Sequence, residues 1–128
     1  MNRICITGNL TKDIELRHTQ SGVAVINFNI GVRRDYKNEN GEYSSDFPSC
    51  IAYKHNAEYF GKYAKKGDKL EIEGRLQTRS YEDKEGKKRY ITEVVVEKGS
   101  ILTARQKPEN KENDPYKEFA DEHPELDK

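Results

Sequence analysis

Aromatic residues beside cations recur along this sequence: Arg33-Arg34-Asp35-Tyr36, Tyr53-Lys54 and Arg79-Ser80-Tyr81, with Phe47 behind a polar stretch. A flat ring offers its π-face to an unpaired base, and a neighbouring cation offers its charge to a phosphate. Together they hold a single strand whatever its base order, at roughly 1–3 kcal/mol per stacked base. Tyr81 stands at the base of a charged loop that also carries Lys84, Lys87, Lys88 and Arg89. Tyr36, Tyr43 and Tyr81 are read as lying in polar hairpin loops, where no core exists to bury them. Phe47 and Tyr53 share one strand face and are equally compatible with core packing. Phe28, Phe60, Tyr59 and Tyr63 fall at core spacing and are read as structural.

Catalytic constellations are missing from the sequence. His18, His55 and His123 are scattered without metal-ligand spacing, and no G-x-S-x-G, Walker A or Cys-x-x-Cys pattern occurs. Asp13 and Glu15 fall at alternate positions of an exposed segment and do not make a working carboxylate pair. The reading is therefore a binding protein with no catalytic residue, no metal and no cofactor.

Composition first argues against a polyanionic partner, because 23 basic residues balance 23 acidic ones. The balance hides an asymmetry. Residues 109–128 hold eight acids against three lysines, which leaves 20 basic and 15 acidic residues in the first 108. A basic body with an acidic tail suits a protein that holds nucleic acid. Cys5 and Cys50 both sit in apolar runs and are read as buried, reduced thiols of a cytoplasmic protein, with a disulfide between them left open. No run approaches the ~20 apolar residues of a membrane span, so no membrane partner is expected.

The elements that must carry these residues are mostly strands. Ile4, Ile6, Gly8 and Leu10 alternate with polar neighbours, and Ala24, Ile26, Phe28, Ile30 and Val32 do so more cleanly. Asn40-Gly41 marks a hairpin, and a third strand is expected over about 47–54. The period then becomes helical through Ala57, Phe60 and Ala64, with Asn56 as expected N-cap and Lys65-Lys66-Gly67 as the stop. Strand periodicity resumes at Leu70, Ile72, Gly74 and Leu76, turns at Glu85-Gly86, and finishes over Tyr90 to Leu102. One short helix between the third and fourth of five strands is the chain order of the OB-fold, a five-stranded, partly open Greek-key barrel. The fold class is all-β with one short helix. Gly8, Gly31 and Gly74 inside strands fit bends where a sheet curls. The expected domain runs 1–106, followed by a flexible acidic tail, 107–128, whose Tyr116 and Phe119 could form a short helix on a partner.

Four segments carry a family resemblance: residues 2–10 (NRICITGNL), 13–17 (DIELR), 71–79 (EIEGRLQTR) and 89–96 (RYITEVVV). In order and spacing, over about residues 1–104, the sequence resembles the bacterial and phage single-stranded DNA-binding proteins. The resemblance implies an OB-fold, assembly as a homotetramer, and a role on single-stranded DNA in replication, recombination and repair. It maps Tyr36, Phe47, Tyr53 and Tyr81 onto the family's base-stacking positions, and Arg3, Arg17, Arg33, Arg34, Lys54, Lys65, Arg75 and Arg79 onto its basic surface. Lys87 and Arg89 in the charged loop join that phosphate-binding set. Members' tails dock replication and repair proteins, which assigns Tyr116, Phe119, Asp121 and Glu122 to partner binding. This tail keeps the acidity and a proline but ends Leu126-Asp127-Lys128, without the family's terminal phenylalanine. The acidic tail is also expected to compete with DNA for the basic groove. An OB-fold that binds RNA, or that serves only protein interaction, is the competing reading; contacts to the 2′-hydroxyl that would separate RNA from DNA leave no pattern here.

Overall fold

A computed structural model describes residues 1–103 of the chain. The elements are β1 (Ile4–Leu10), β2 (Arg17–His18), β3 (Ala24–Lys37), β4 (Tyr43–Asp46), β5 (Ser49–Tyr53), α1 (Lys54–Tyr63), β6 (Lys69–Glu82) and β7 (Lys88–Ile101). Five of them close a ring. β1 pairs with β6, β6 with β7, β7 with β5, β5 with β3, and β3 returns to β1. All these pairs are antiparallel except β5–β7, which is parallel at Cys50↔Val94 and Ile51↔Val95. The expected five-stranded barrel is present, and it is closed where a partly open one was expected. The closing seam is short, Asn9↔Gly31 and Leu10↔Ile30.

Alternation places the core. Ile26, Phe28 and Ile30 from β3, Leu70 and Ile72 from β6, and Val94 and Val96 from β7 point inward with Leu10, Cys50 and Ala52. The helix caps this interior with Ala57, Phe60 and Ala64, and the Phe28 and Phe60 ring centroids stand 6.1 Å apart. The ring closes tightly only because glycines allow it. A Cβ on Gly74 would sit 2.0 Å from the Val95 carbonyl oxygen. Beside it the β6–β7 register slips between Glu73 and Gly74, the bulge that Gly74 suggested.

Two hairpins extend past the barrel, and here the sequence reading needs correction. β3 does not stop near Arg33 but continues to Lys37, paired with the separate strand β4. Tyr36, Tyr43 and Tyr81 therefore lie in strands β3, β4 and β6, not in loops. The strand holding Cys50 starts at Ser49, so Phe47 precedes it. The two turns are built alike. Asn38 Oδ1 accepts the Asn40 and Glu42 amides, and Asp83 Oδ1 accepts those of Glu85 and Lys87. Gly41 and Gly86 close them at φ of 78° and 79°, where any other residue is strained.

Two local readings are overturned. Asn56 does not cap α1, which begins two residues earlier behind Tyr53; the Asn56 amide donates to the Glu97 carbonyl at 3.1 Å. Cys5 is exposed on β1, since it alternates outward with Arg3 and Thr7, while Cys50 is buried as expected. Both thiols are free. The acidic segment 107–128, with Tyr116, Phe119, Asp121 and Glu122, lies outside the described residues.

Candidate nucleic-acid interface

Residues on the outer faces of β3, β5, β6 and β7 share rows fixed by register. Asn27 pairs with Ile51, Ile51 with Val95, and Val95 with Arg75. The next row runs Asn29–Ser49 and Glu93–Gln77, and beyond it lie the pairs Arg79–Ile91 and Tyr81–Arg89. A cleft of about 520 Å³ opens over this face, lined by Asn27, Asn29, Ser49, Arg79, Ile91 and Glu93, with Lys12 and Arg17 contributed from the segment after β1.

Each expected stacking residue is surface-borne. Tyr36 is 64% exposed, Phe47 61%, Tyr81 50% and Tyr53 37%, so none is spent on the core. Phe47 rests against the Cα side of Gly31 and above Asn29, whose amide donates to the Phe47 and Pro48 carbonyls at 3.3 Å. That anchorage fixes the short link from β4 to β5 and so the base of the ring. Tyr53 ends β5, and Lys54 after it adopts φ of 57°, turning the chain sharply into α1.

The cations divide into two groups. Arg3 pairs with Glu73 and Glu97, Arg34 with Asp46, Arg79 with Glu93, and Arg89 with Asp83. The Arg34–Asp46 pair is bidentate at 2.7 and 3.1 Å; it raises the guanidinium and holds the Asp46 carboxyl below its ordinary value. Arg17, Arg33, Lys54 and Lys87 carry no such carboxylate partner among the described residues, and Arg75 reaches only the Gln77 amide oxygen, at 3.3 Å. The Arg33 guanidinium instead lies 4.5 Å from the centre of the Tyr43 ring, a cation–π contact that leaves its charge available.

Two features escaped the sequence reading. Tyr90 is 69% exposed on the face of the β6–β7 hairpin opposite Tyr81, with Lys88 Nζ 5.7 Å from its ring. Its place directly after the basic run Lys87-Lys88-Arg89 was the available signal. Glu93 is 2% exposed although it points out of the barrel, and its Oε1 accepts Arg79 Nε at 2.6 Å and Gln77 Nε2 at 3.2 Å. An acid next to the run Val94-Val95-Val96 was the only hint.

The pattern for the single-strand binding protein family matches residues 1–102 of this chain. The chain belongs to that family. Curated members resemble it over most of its length. A single-stranded DNA-binding protein of Lactiplantibacillus plantarum is 46% identical over 109 residues, 85% of this chain and 54% of that protein. Single-stranded DNA-binding protein 1 of Streptococcus pyogenes is 43% identical over 110 residues, 86% of this chain and 85% of its own. A Listeria monocytogenes relative, single-stranded DNA-binding protein 2, is 45% identical over 102 residues, 80% of this chain and 64% of its own. This chain thus spans little more than half the length of the first of these relatives. Among the described residues no three His, Cys, Asp or Glu side chains are grouped to hold a metal ion, and no helix is long and apolar enough to cross a membrane.

Proposed function

We propose that this chain binds single-stranded DNA without reading base order, as a non-catalytic holder of unpaired strands. One observation carries the reading: four large aromatics, Tyr36, Phe47, Tyr53 and Tyr81, stand exposed on the surface instead of filling the core. Exposed rings of this size stay in water at a cost unless a partner covers them, and bases are flat partners that need no sequence. Arg17, Arg33, Lys54, Arg75 and Lys87 supply the phosphate contacts. Replication, recombination and repair in the bacterial or host cytoplasm are the settings the family suggests. Assembly as a homotetramer belongs to the same proposal; among the described residues β1 leaves its Ile4–Thr7 edge without a strand partner on the β3 side, which gives a second copy a place to pair. Docking of replication or recombination proteins is proposed for the acidic segment with Tyr116, Phe119, Asp121 and Glu122.

The test is fluorescence anisotropy with labelled oligo-dT over a range of salt, with duplex DNA and single-stranded RNA as competitors. Tight, salt-sensitive binding that duplex fails to displace supports the reading. Displacement by RNA at equal affinity would favour the RNA-binding alternative, and no binding at low salt would leave an interaction module. Sedimentation of the same samples reports the oligomeric state.

A further inference from the structure

Arg79 stands where a phosphate contact was expected, yet it is already committed to an acid. Its Nε donates to Glu93 Oε1 at 2.6 Å, and the Glu93 side chain is only 1% exposed against 44% for Arg79. The carboxylate is thus sealed beneath the guanidinium, at the floor of the cleft that Asn27, Asn29, Ser49 and Ile91 line. Gln77 donates to the same oxygen and fixes it from the other side. A buried carboxylate is costly to leave unpaired, so it holds its cation firmly. Tyr81 follows on the same face of β6, and Tyr53 ends β5, which lies on the other side of β7 in the same sheet. The Arg79 guanidinium is held in its charged form above all by Glu93, with Tyr53 and Tyr81 adding smaller contributions from nearby.

We infer that Glu93 is a positioning residue that cancels the charge of Arg79 and presents its guanidinium as a flat, electrically neutral platform for a base between Tyr53 and Tyr81. Guanidinium planes do stack on bases, and the edge bonded to Glu93 leaves the plane's face free. Arg79 then contributes to affinity without contributing to ion exchange. Arg17, Arg33, Lys54, Arg75 and Lys87, which pair with no carboxylate among the described residues, contribute to affinity through ion exchange. The inference rests on the single-stranded DNA reading above.

Counterion release separates the two roles. Each phosphate contact on a single strand adds about 0.7 to the slope of log affinity against log salt. The experiment measures oligo-dT affinity from 50 to 200 mM salt for the full chain, Arg79→Gln, Arg79→Lys, Glu93→Gln and the double variant, with circular dichroism to confirm folding. Arg79→Gln should weaken binding several-fold, and Arg79→Lys should not restore it. Glu93→Gln should steepen the slope by about 0.7, so that its affinity relative to the full chain changes about 2.6-fold over that range. The double variant should return to the original slope. A slope shallower by about 0.7 in the double variant, or an unchanged slope in Glu93→Gln, would overturn the inference while leaving DNA binding intact. Failure of the unaltered chain to bind oligo-dT would instead remove the reading beneath it.

Discussion

Gly8 and Gly31 meet backbone to backbone: a Cβ placed on Gly8 would lie 2.5 Å from the Gly31 carbonyl oxygen. The contact sits at the seam where Asn9 and Leu10 close the ring onto β3. Gly8→Ala must push the two strands apart, and overpacking of this kind costs typically ~1–3 kcal/mol. Urea unfolding should show a lower midpoint with an unchanged slope. An unshifted midpoint would mean that the seam yields without cost.

Gly31→Ala should behave differently. Its new methyl would meet Phe47 Cε1 at 3.2 Å, the ring of an exposed side chain and not backbone. The ring can swing into solvent, so stability should stay within about 0.5 kcal/mol of the original. Oligo-dT affinity should fall several-fold, because the ring leaves the place against Gly31 from which it is proposed to stack. Equal affinity in the two proteins would remove Phe47 from the stacking set.

The barrel strands were legible wherever a core exists to enforce alternation. Ile26, Phe28 and Ile30 announce β3 because each alternate residue must enter the interior. Past Val32 the strand continues without a core, and Arg34 to Lys37 carry no apolar rhythm, so this arm read as a loop. Tyr36, Tyr43 and Tyr81 were legible as exposed, since rings set among charges have nowhere to be buried, whereas Phe47 and Tyr53 read equally well as core and Tyr90 was missed. Which cations are free was not legible. Arg3 and Glu73 lie 70 residues apart, and Arg79 and Glu93 become neighbours only through the β6–β7 register. Cys5 was misread because its apolar neighbours were weighed above the alternation, which already sets it on the outward side with Arg3 and Thr7.

The two thiols should separate by reactivity. Burial pushes the Cys50 thiol up to about 12 from an ordinary value of 9.0, with Glu93 adding to the effect. At pH 8 a disulfide reagent should titrate Cys5 in the native protein and Cys50 only after unfolding. Cys50 stays protonated in the folded state above the pH at which it ionises when unfolded. Its contribution to stability is full below about pH 9 and is lost as pH rises towards about 12. Cys50→Ala should flatten the decline of denaturation midpoints across that window. Rapid modification of both thiols in the native state would contradict the burial of Cys50.

Asp83 organises the tip of the β6–β7 hairpin. Arg89 first, and then the Lys87 and Glu85 amides, hold its carboxyl below the usual aspartate value. A depressed carboxylate stabilises above its unfolded value and loses that contribution as pH falls through its folded one. The protection of the Glu85 and Lys87 amides, measured as exchange relative to the intrinsic rate at the same pH, should therefore fall in acid, once Asp83 protonates. Asp83→Ala should produce the same loss of protection at neutral pH and leave barrel amides such as Ile72 protected. Unchanged exchange in the variant would show that Gly86 alone sets the turn.

The pairing of β1 with β6, Ile4 against Gly74, also sets a timetable for synthesis. The first strand leaves the ribosome roughly 4–14 s before its partner at ordinary elongation rates of about 5–20 residues per second. β5 waits similarly for β7, because their parallel pairing at Cys50 and Val94 needs everything in between. A nascent chain therefore carries the apolar side of β3 uncovered until almost the whole barrel sequence has emerged. Folding must then be nearly all-or-none and dominated by distant contacts, which places it among the slower small domains. A stalled or prematurely ended chain lacking β7 has no smaller barrel to fall back on, and its apolar strands become a target for chaperones and proteases.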